Sequence, residues 1–233
     1  WVKYYDEWTP KSFDYPEKML WEFVKDSAEK NPNNMAYEYY GSNATFKKLM
    51  KEIEECARSL KSIGVKKDDI VTVCSPNIPQ AVVLFYAINM IGAVSNMIHP
   101  LSAEKEIENY LCLSKSKYVF CIDITLDKLL NVIKNTSVEL VIVLSAADKM
   151  STITKYAYKL TQGRKIKVDY NNEYLLSWSS FIDFGYLYDG EYKVKRKTTD
   201  RAVILYSGGT TGKPKGIVIS NRNFNAATMQ TGT

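Results

Sequence analysis

Apolar residues recur along the chain at two periods, and the two alternate. Leu20, Phe23, Val24 and Ala28 fall on one helical face that stops before Asn31 and Pro32, and residues 35–40 then read as a short strand. After a turn at Gly41, Ser42 and Asn43 comes the clearest helical stripe. It runs through Phe46, Leu49, Ile53, Cys56, Leu60 and Ile63, with Thr45 placed to cap its start and Gly64 to stop it. A strand at 70–75 follows. Pro79 can open the next helix, which passes through Val82, Val83, Phe85, Tyr86 and Ile88 to Gly92; its surface is apolar nearly all round, which predicts burial. The alternation continues as strand 93–98, helix 103–114 capped by Ser102, strand 118–123, helix 126–135, strand 138–144 and helix 149–160. Such regular alternation predicts an α/β fold, a mostly parallel sheet flanked by helices on both faces.

The pattern weakens over residues 163–199, which are rich in Tyr, Asp, Ser and Lys; Trp178, Phe181, Ile182 and Phe184 can still pack a short helix or hairpin onto the sheet. The expected organisation is an N-terminal extension at 1–16, an α/β subdomain at 17–162, a connecting segment at 163–199, and a hairpin opening a second subdomain at 200–233. The chain starts at Trp1 and stops at Thr233 inside a predicted helix, so it reads as a fragment of a longer protein. No internal repeat points to a solenoid.

Composition narrows the partners. A net charge of +5 from 31 basic and 26 acidic residues is a mild excess spread along the chain, which does not argue for nucleic acid. The cluster Lys193, Lys195, Arg196 and Lys197 reads as a solvated edge. Cys56, Cys74, Cys112 and Cys121 form no C-x-x-C pair, and with a single histidine they cannot build an ordinary zinc site; they read as reduced core thiols of a cytoplasmic protein. The most apolar run, 81–94, is too short for a membrane span and is interrupted by Asn89. The N-terminus lacks the apolar stretch of a signal peptide. His99 ends an apolar strand beside Pro100 and is assigned no catalytic role, and Tyr37, Tyr39 and Tyr110 suit packing better than a binding platform.

The chemistry gathers after the strand at 201–206. There the chain reads SGGTTGKPKG, with glycines at 208, 209, 212 and 216, hydroxyls at Ser207, Thr210 and Thr211, and cations at Lys213 and Lys215. Glycine lets backbone N–H groups converge on an anion without Cβ atoms in the way, and the hydroxyls and lysines add donors and charge at the same place. A merely structural turn needs one or two such residues, so the density points to a polyphosphate grip. It is not a Walker A loop: Ser207 stands where the first glycine belongs, and Pro214 follows Lys213 where a magnesium-binding hydroxyl is required. Residues 216–220 continue as a second strand rather than a helix, which makes the grip a hairpin.

The run YSGGTTGKPKG at 206–216 resembles the signature Y-T-S-G-T-T-G-x-P-K-G of the adenylate-forming superfamily, which includes acyl-CoA synthetases, peptide-synthetase adenylation domains and firefly luciferase. The upstream stretch ATFKKLMKEIEECARSLKSIGVKKDDIVTVCSPNIPQAVVLFYAINMIGAV, the segment HPLSAEKEIENYL and the downstream GIVISNRNF resemble the same superfamily, so the likeness covers most of the chain. Gly208 departs from the usual Ser and removes one hydroxyl; Ser207 replaces Thr and keeps it; Asn221 stands where many members have His.

The resemblance implies an ATP-dependent acid–thiol ligase, in which a carboxylic acid is first joined to AMP and then passed to a thiol, with ATP, Mg2+ and coenzyme A as cofactors and second substrate. It assigns Ser207, Gly208, Gly209, Thr210, Thr211, Gly212 and Lys215 to the phosphates of the nucleotide, Lys215 offsetting charge on the leaving pyrophosphate. Similarity around residues 93–111 favours a fatty or other aliphatic acid. The family's acidic magnesium ligand, ribose-binding aspartate and C-terminal lysine are expected after Thr233, so no catalytic residue is assigned within the chain, and the chain alone is expected to be inactive. An adenylation domain that loads a carrier protein, and a non-catalytic nucleotide-binding module, remain alternatives.

Overall fold

The computed structural model describes residues 2–161, 163–207 and 215–231. The first helix, α1 (Leu20–Lys30), leads into β1 (Met35–Tyr39) and β2 (Ser42–Thr45), which pair antiparallel in a small separate sheet. Tyr40 and Gly41 both take positive φ, 45° and 76°, the conformation a two-residue hairpin turn needs. Gly41 turns the chain as expected, but Ser42 and Asn43 belong to a second strand, which is too polar to be recognised without its partner. Next, α2 (Phe46–Ser62) is capped by the Thr45 hydroxyl, which accepts the Lys48 N–H at 3.3 Å, and stops at Gly64 with φ 94°, as expected from sequence.

Then come β3 (Ile70–Cys74), α3 (Pro79–Met90), β4 (Val94–Ile98), α4 (Glu104–Ser114), β5 (Tyr118–Ile122), α5 (Leu126–Val132) and β6 (Leu140–Leu144). α6 (Thr152–Leu160) follows a single 3-10 turn at Ala146–Lys149, and β7 (Leu175–Ser177) runs directly into α7 (Trp178–Tyr186). The chain ends with β8 (Arg201–Ser207), β9 (Lys215–Ser220) and α8 (Asn221–Thr231). Two local expectations are corrected. Ala103, not Ser102, sits at the N-cap of α4, where the Glu106 carboxylate accepts the Ala103 N–H at 2.9 Å. The helix expected at 149–160 begins only after Ser151, whose hydroxyl accepts the Thr154 N–H at 3.4 Å.

The main sheet has the order β7-β6-β5-β3-β4-β8-β9, parallel throughout except for the β8–β9 pair. This is the mostly parallel, helix-flanked sheet predicted from the alternation. Side chains alternate across it. Val71, Val73, Phe120 and Ile142 join Ile53, Leu60, Leu84, Ile88 and Phe181 beneath α1, α2, α3 and α7, while Val119, Cys121, Val141 and Val143 meet Ile107, Leu111 and Leu129 of α4 and α5. Three of the cysteines are buried in this packing, but Cys112 is exposed on α4.

The basic cluster near residue 195 is only partly the solvated edge expected. Lys195 and Lys197 are exposed, but the Arg196 side chain is 4% exposed; it pairs with Asp68 at 2.7 Å and Asp200 at 3.2 Å and donates to the Gly92 carbonyl. It ties the stretch before β8 to the end of α3.

Candidate functional site

β8 carries RAVILYS into the site. Ala202, Val203 and Ile204 are buried, and two residues, Val203 and Ile204, pair in parallel with Ser95 and Asn96 of β4. β9 returns antiparallel, in a register that ends with Tyr206 opposite Gly216 and Ser207 opposite Lys215. The strand expected after the glycine-rich loop is thus present, and the two ends of the loop are held side by side at the carboxyl end of the parallel strands, where α/β sheets commonly take ligands. Ser207 is half-buried and Lys215 exposed. Gly208, Gly209, Thr210, Thr211 and Gly212 lie outside the described residues, as do Lys213 and Pro214.

Beside this hairpin is a cavity of about 830 Å³ between the carboxyl ends of β3, β4 and β8, the first turns of α3, and α8. Phe85, Tyr86, Met97, Tyr110, Tyr206 and Phe224 form most of its apolar wall, and Ser75, Asn77 and His99 contribute polar atoms. A concave, mainly apolar space with a few polar groups is the usual character of a small-molecule site. The Tyr110 and Tyr206 rings stack with centroids 3.8 Å apart and planes 23° apart. The Tyr206 hydroxyl donates to the Tyr110 carbonyl at 3.3 Å. Burial pushes its phenol up to about 12, against an opposing contact with the Asn96 amide, so Tyr206 stays neutral at physiological pH.

Asn96 sits at the bottom of a buried polar ladder. Its Nδ2 donates to Thr72 Oγ1 at 2.8 Å, and Thr72 donates in turn to Ser116 Oγ at 2.7 Å. His99 Nδ1 accepts the Leu101 N–H at 3.2 Å, closing the turn after β4, while its ring lies on the cavity wall.

Tyr110 packs in the core as expected, buried between α4 and the sheet, and also lines the cavity; sequence reasoning did not single out Phe85, Tyr86 or Phe224 for the site. One signal was available. A helix apolar on every side, as α3 is, exceeds what one sheet face can cover, and the surplus (Val82 at 38% exposure, with half-buried Phe85 and Tyr86) lines the cavity. No group of three or more His, Cys, Asp or Glu side chains able to hold a metal occurs among the described residues.

A parallel sheet with the ends of a glycine-rich segment at its carboxyl end and an apolar cavity alongside is the arrangement in which α/β proteins take small ligands, and comparison with known proteins makes the class specific. A family model described as AMP-binding enzyme matches residues 24–232, and the chain belongs to that family. It is 28% identical over 235 residues to a long-chain-fatty-acid–CoA ligase of Bacillus subtilis, covering 98% of this chain and 41% of that protein. Among solved structures, a long-chain-fatty-acid-CoA ligase from Archaeoglobus fulgidus superposes with a TM-score of 0.74 at 25% identity over 95% of this chain and 40% of that one. An anthranilate CoA ligase solved with anthranoyl-AMP shares the fold, with a TM-score of 0.71 at 19% identity over 88% of this chain and 35% of that one. The likeness to adenylate-forming enzymes noted in the sequence is therefore borne out. The chain spans about two fifths of the length of these relatives.

Proposed function

We propose that this chain supplies the ATP-gripping portion of an acid–thiol ligase that joins a fatty or other aliphatic carboxylic acid to coenzyme A through an acyl-adenylate. The observation that carries the reading is the β8–β9 register, which brings Ser207 and Lys215 together at the open end of the sheet, beside the apolar cavity. In this reading a carboxylate oxygen bonds to the α-phosphorus of ATP and pyrophosphate leaves with the electron pair of the broken P–O bond. A thiol sulfur then bonds to the acyl carbon, AMP leaves with the electron pair of the broken C–O bond, and the thiol proton is released to solvent.

Both reactants of the first step are anions and the carboxylate is a weak nucleophile, so positioning and charge neutralisation supply the acceleration. Ser207, Thr210 and Thr211 donate to the β- and γ-phosphates, the glycines at 208, 209 and 212 let the backbone approach, and Lys215 offsets the charge that grows on pyrophosphate. The cavity beside the hairpin takes the aliphatic part of the acid or the thiol arm of coenzyme A; its aromatic wall excludes water from the acyl carbon. The described residues hold no group of three or more metal-ligating side chains, but Mg2+ needs only one or two carboxylates beside the phosphates, and when bound it would share with Lys215 the charge on pyrophosphate. The chain spans about two fifths of its relatives' length, and by itself it is expected to be inactive.

The test is acid-dependent exchange of pyrophosphate into ATP by the complete polypeptide, across a panel of carboxylic acids of graded chain length. Exchange is expected to rise with aliphatic length, and Thr211→Ala and Lys215→Ala are each expected to lower it by about 10²-fold. Unchanged exchange in both variants would remove the phosphate roles, and the absence of exchange with every acid would remove the ligase reading.

A further inference from the structure

Residues 191–197, which carry the chain from α7 toward β8, keep a strict two-residue rhythm. Glu191, Lys193, Lys195 and Lys197 are exposed, and Tyr192, Val194 and Arg196 between them turn inward. The Tyr192 ring lies 4.7 Å from the Arg58 guanidinium. Val194 closes over Gly92 so tightly that a Cβ there would lie 2.9 Å from its Cγ1, and Arg196 reaches Asp68 and Asp200. Side chains that alternate in this way between solvent and protein mark an extended strand.

The strand lacks a neighbour. Its Val194 N–H donates to the Met90 carbonyl at 3.0 Å. Successive residues of a strand direct their N–H and C=O groups to opposite edges, so those of Glu191, Lys193 and Lys195 face the other way. Of these groups only the Glu191 carbonyl has a partner among the described residues, the Tyr188 hydroxyl at 3.1 Å. An open hollow of about 710 Å³, lined among the described residues by 189–195 alone, leaves room beside the backbone. A row of free backbone donors and acceptors is a template for another strand.

Charge selects which strand. Lys193 is held by Glu54 at 2.7 Å and Arg196 by its two aspartates, whereas Glu191 and Lys195 make no ion pair among the described residues. We infer that residues 191–195 are a self-complementary edge, through which two copies of this chain pair antiparallel about a two-fold axis at Lys193. In that register Glu191 of each copy lies across from the partner's Lys195, and Glu191, Lys193 and Lys195, the residues with free backbone groups, take the hydrogen-bonded positions. A slip of two residues would set Lys193 opposite the partner's Lys195, and parallel pairing in register would set Glu191 opposite the partner's Glu191; like charges disfavour both. An acidic peptide would suit Lys195 but be repelled by Glu191. A strand pair this short buries less than the roughly 1,200 Å² of a stable interface, so the dimer is weak and reversible. This inference does not depend on the ligase reading.

The experiment is sedimentation velocity of the complete polypeptide over a concentration series from micromolar to millimolar, in which the sedimentation coefficient is expected to climb toward that of a dimer. Glu191→Lys and Lys195→Glu each set like charges across the axis, and each is expected to weaken dimerisation by about 10-fold. An equimolar mixture of the two variants restores both opposite-charge pairs and is expected to associate as the wild type does. Both positions are exposed, and unchanged circular dichroism confirms that each variant is folded. Full-strength dimerisation in both single variants, or a mixture no stronger than its components, would overturn the proposal. So would a wild-type chain that stays monomeric throughout, and saturable binding of polyglutamate by that monomer would assign the edge to an acidic partner instead.

Discussion

At the residue scale, the carboxyl groups of Asp123 and Asp148 are held away from their ordinary values by burial. They sit just beyond β5 and β6, and burial raises both above the ordinary carboxylate value. For Asp123 the Ser145 hydroxyl and the Ile124 N–H, at 2.8 Å, oppose the rise and the charge of Asp148 adds to it. For Asp148, Lys155 is the largest opposing influence. A carboxyl whose folded value is raised holds its proton in the folded state after the unfolded chain has released it. Its contribution to stability is therefore best at low pH, declines as pH rises from the ordinary value of 3.8 to the raised folded value, and is unfavourable above that. Asp148→Asn removes one of these groups and relieves the other. Thermal melts are expected to show a Tm higher by about 2–4 °C at neutral pH, with a flatter pH dependence on the acid side; a Tm lowered at neutral pH but unchanged at acid pH would mean that the ionised group is stabilising.

At the scale of elements, the tightest contact is between α2 and α7. A Cβ on Gly185 would lie 2.4 Å from Ser59 Oγ and 2.8 Å from the Glu55 carbonyl, and Ser59 Oγ itself bridges the helices by donating to the Ile182 carbonyl at 3.2 Å. Gly185→Ala is expected to cost about 1–3 kcal/mol in denaturant unfolding by forcing the helices apart, despite its gain in helix propensity. Nothing in the pattern WSSFIDFGY announces that constraint. Periodicity revealed α7 only as an apolar group of Trp178, Phe181, Ile182 and Phe184, and it missed β7, three residues whose strand character comes from pairing with β6. The long elements were legible because each carries its own cap and stripe, as α2 does with Thr45 and Gly64.

Across the whole molecule, parallel strands between helices were legible, but their order was not, because hydrophobic patterning carries no information on which strands become neighbours. Of the candidate site, the strands that bracket the glycine-rich loop were legible, and the cavity was not, because its wall is assembled from Phe85, Tyr110, Tyr206 and Phe224 on separate elements. Long-range amides fasten the start of the chain to the last helix. Asn221 Oδ1 accepts the Leu20 N–H at 3.2 Å and Asn89 Nδ2 at 2.9 Å, and Asn225 Nδ2 donates to the carbonyls of Pro16 and Lys18 at 2.8 and 2.9 Å. Asn221→Ala leaves buried donors on α1 and α3 without their acceptor. It is expected to cost about 1–3 kcal/mol and to speed tryptic cleavage after Lys18; cleavage at the wild-type rate would show that Asn221 does not secure this segment.

The β4–β8 ladder has a further consequence, for the order in which the molecule assembles. Ser207 meets Lys215 only eight positions along the chain, a purely local event, but the hairpin reaches its place only when Val203 finds Ser95, 203 − 95 = 108 positions away. Drawing those ends together costs roughly 2 kcal/mol more chain entropy than closing the turn itself. The units built around β5, β6 and β7 lie within that span and shorten it as they condense. The β8–β9 hairpin is accordingly expected to form early as a ribbon and to dock late, after most of the sheet is already in place.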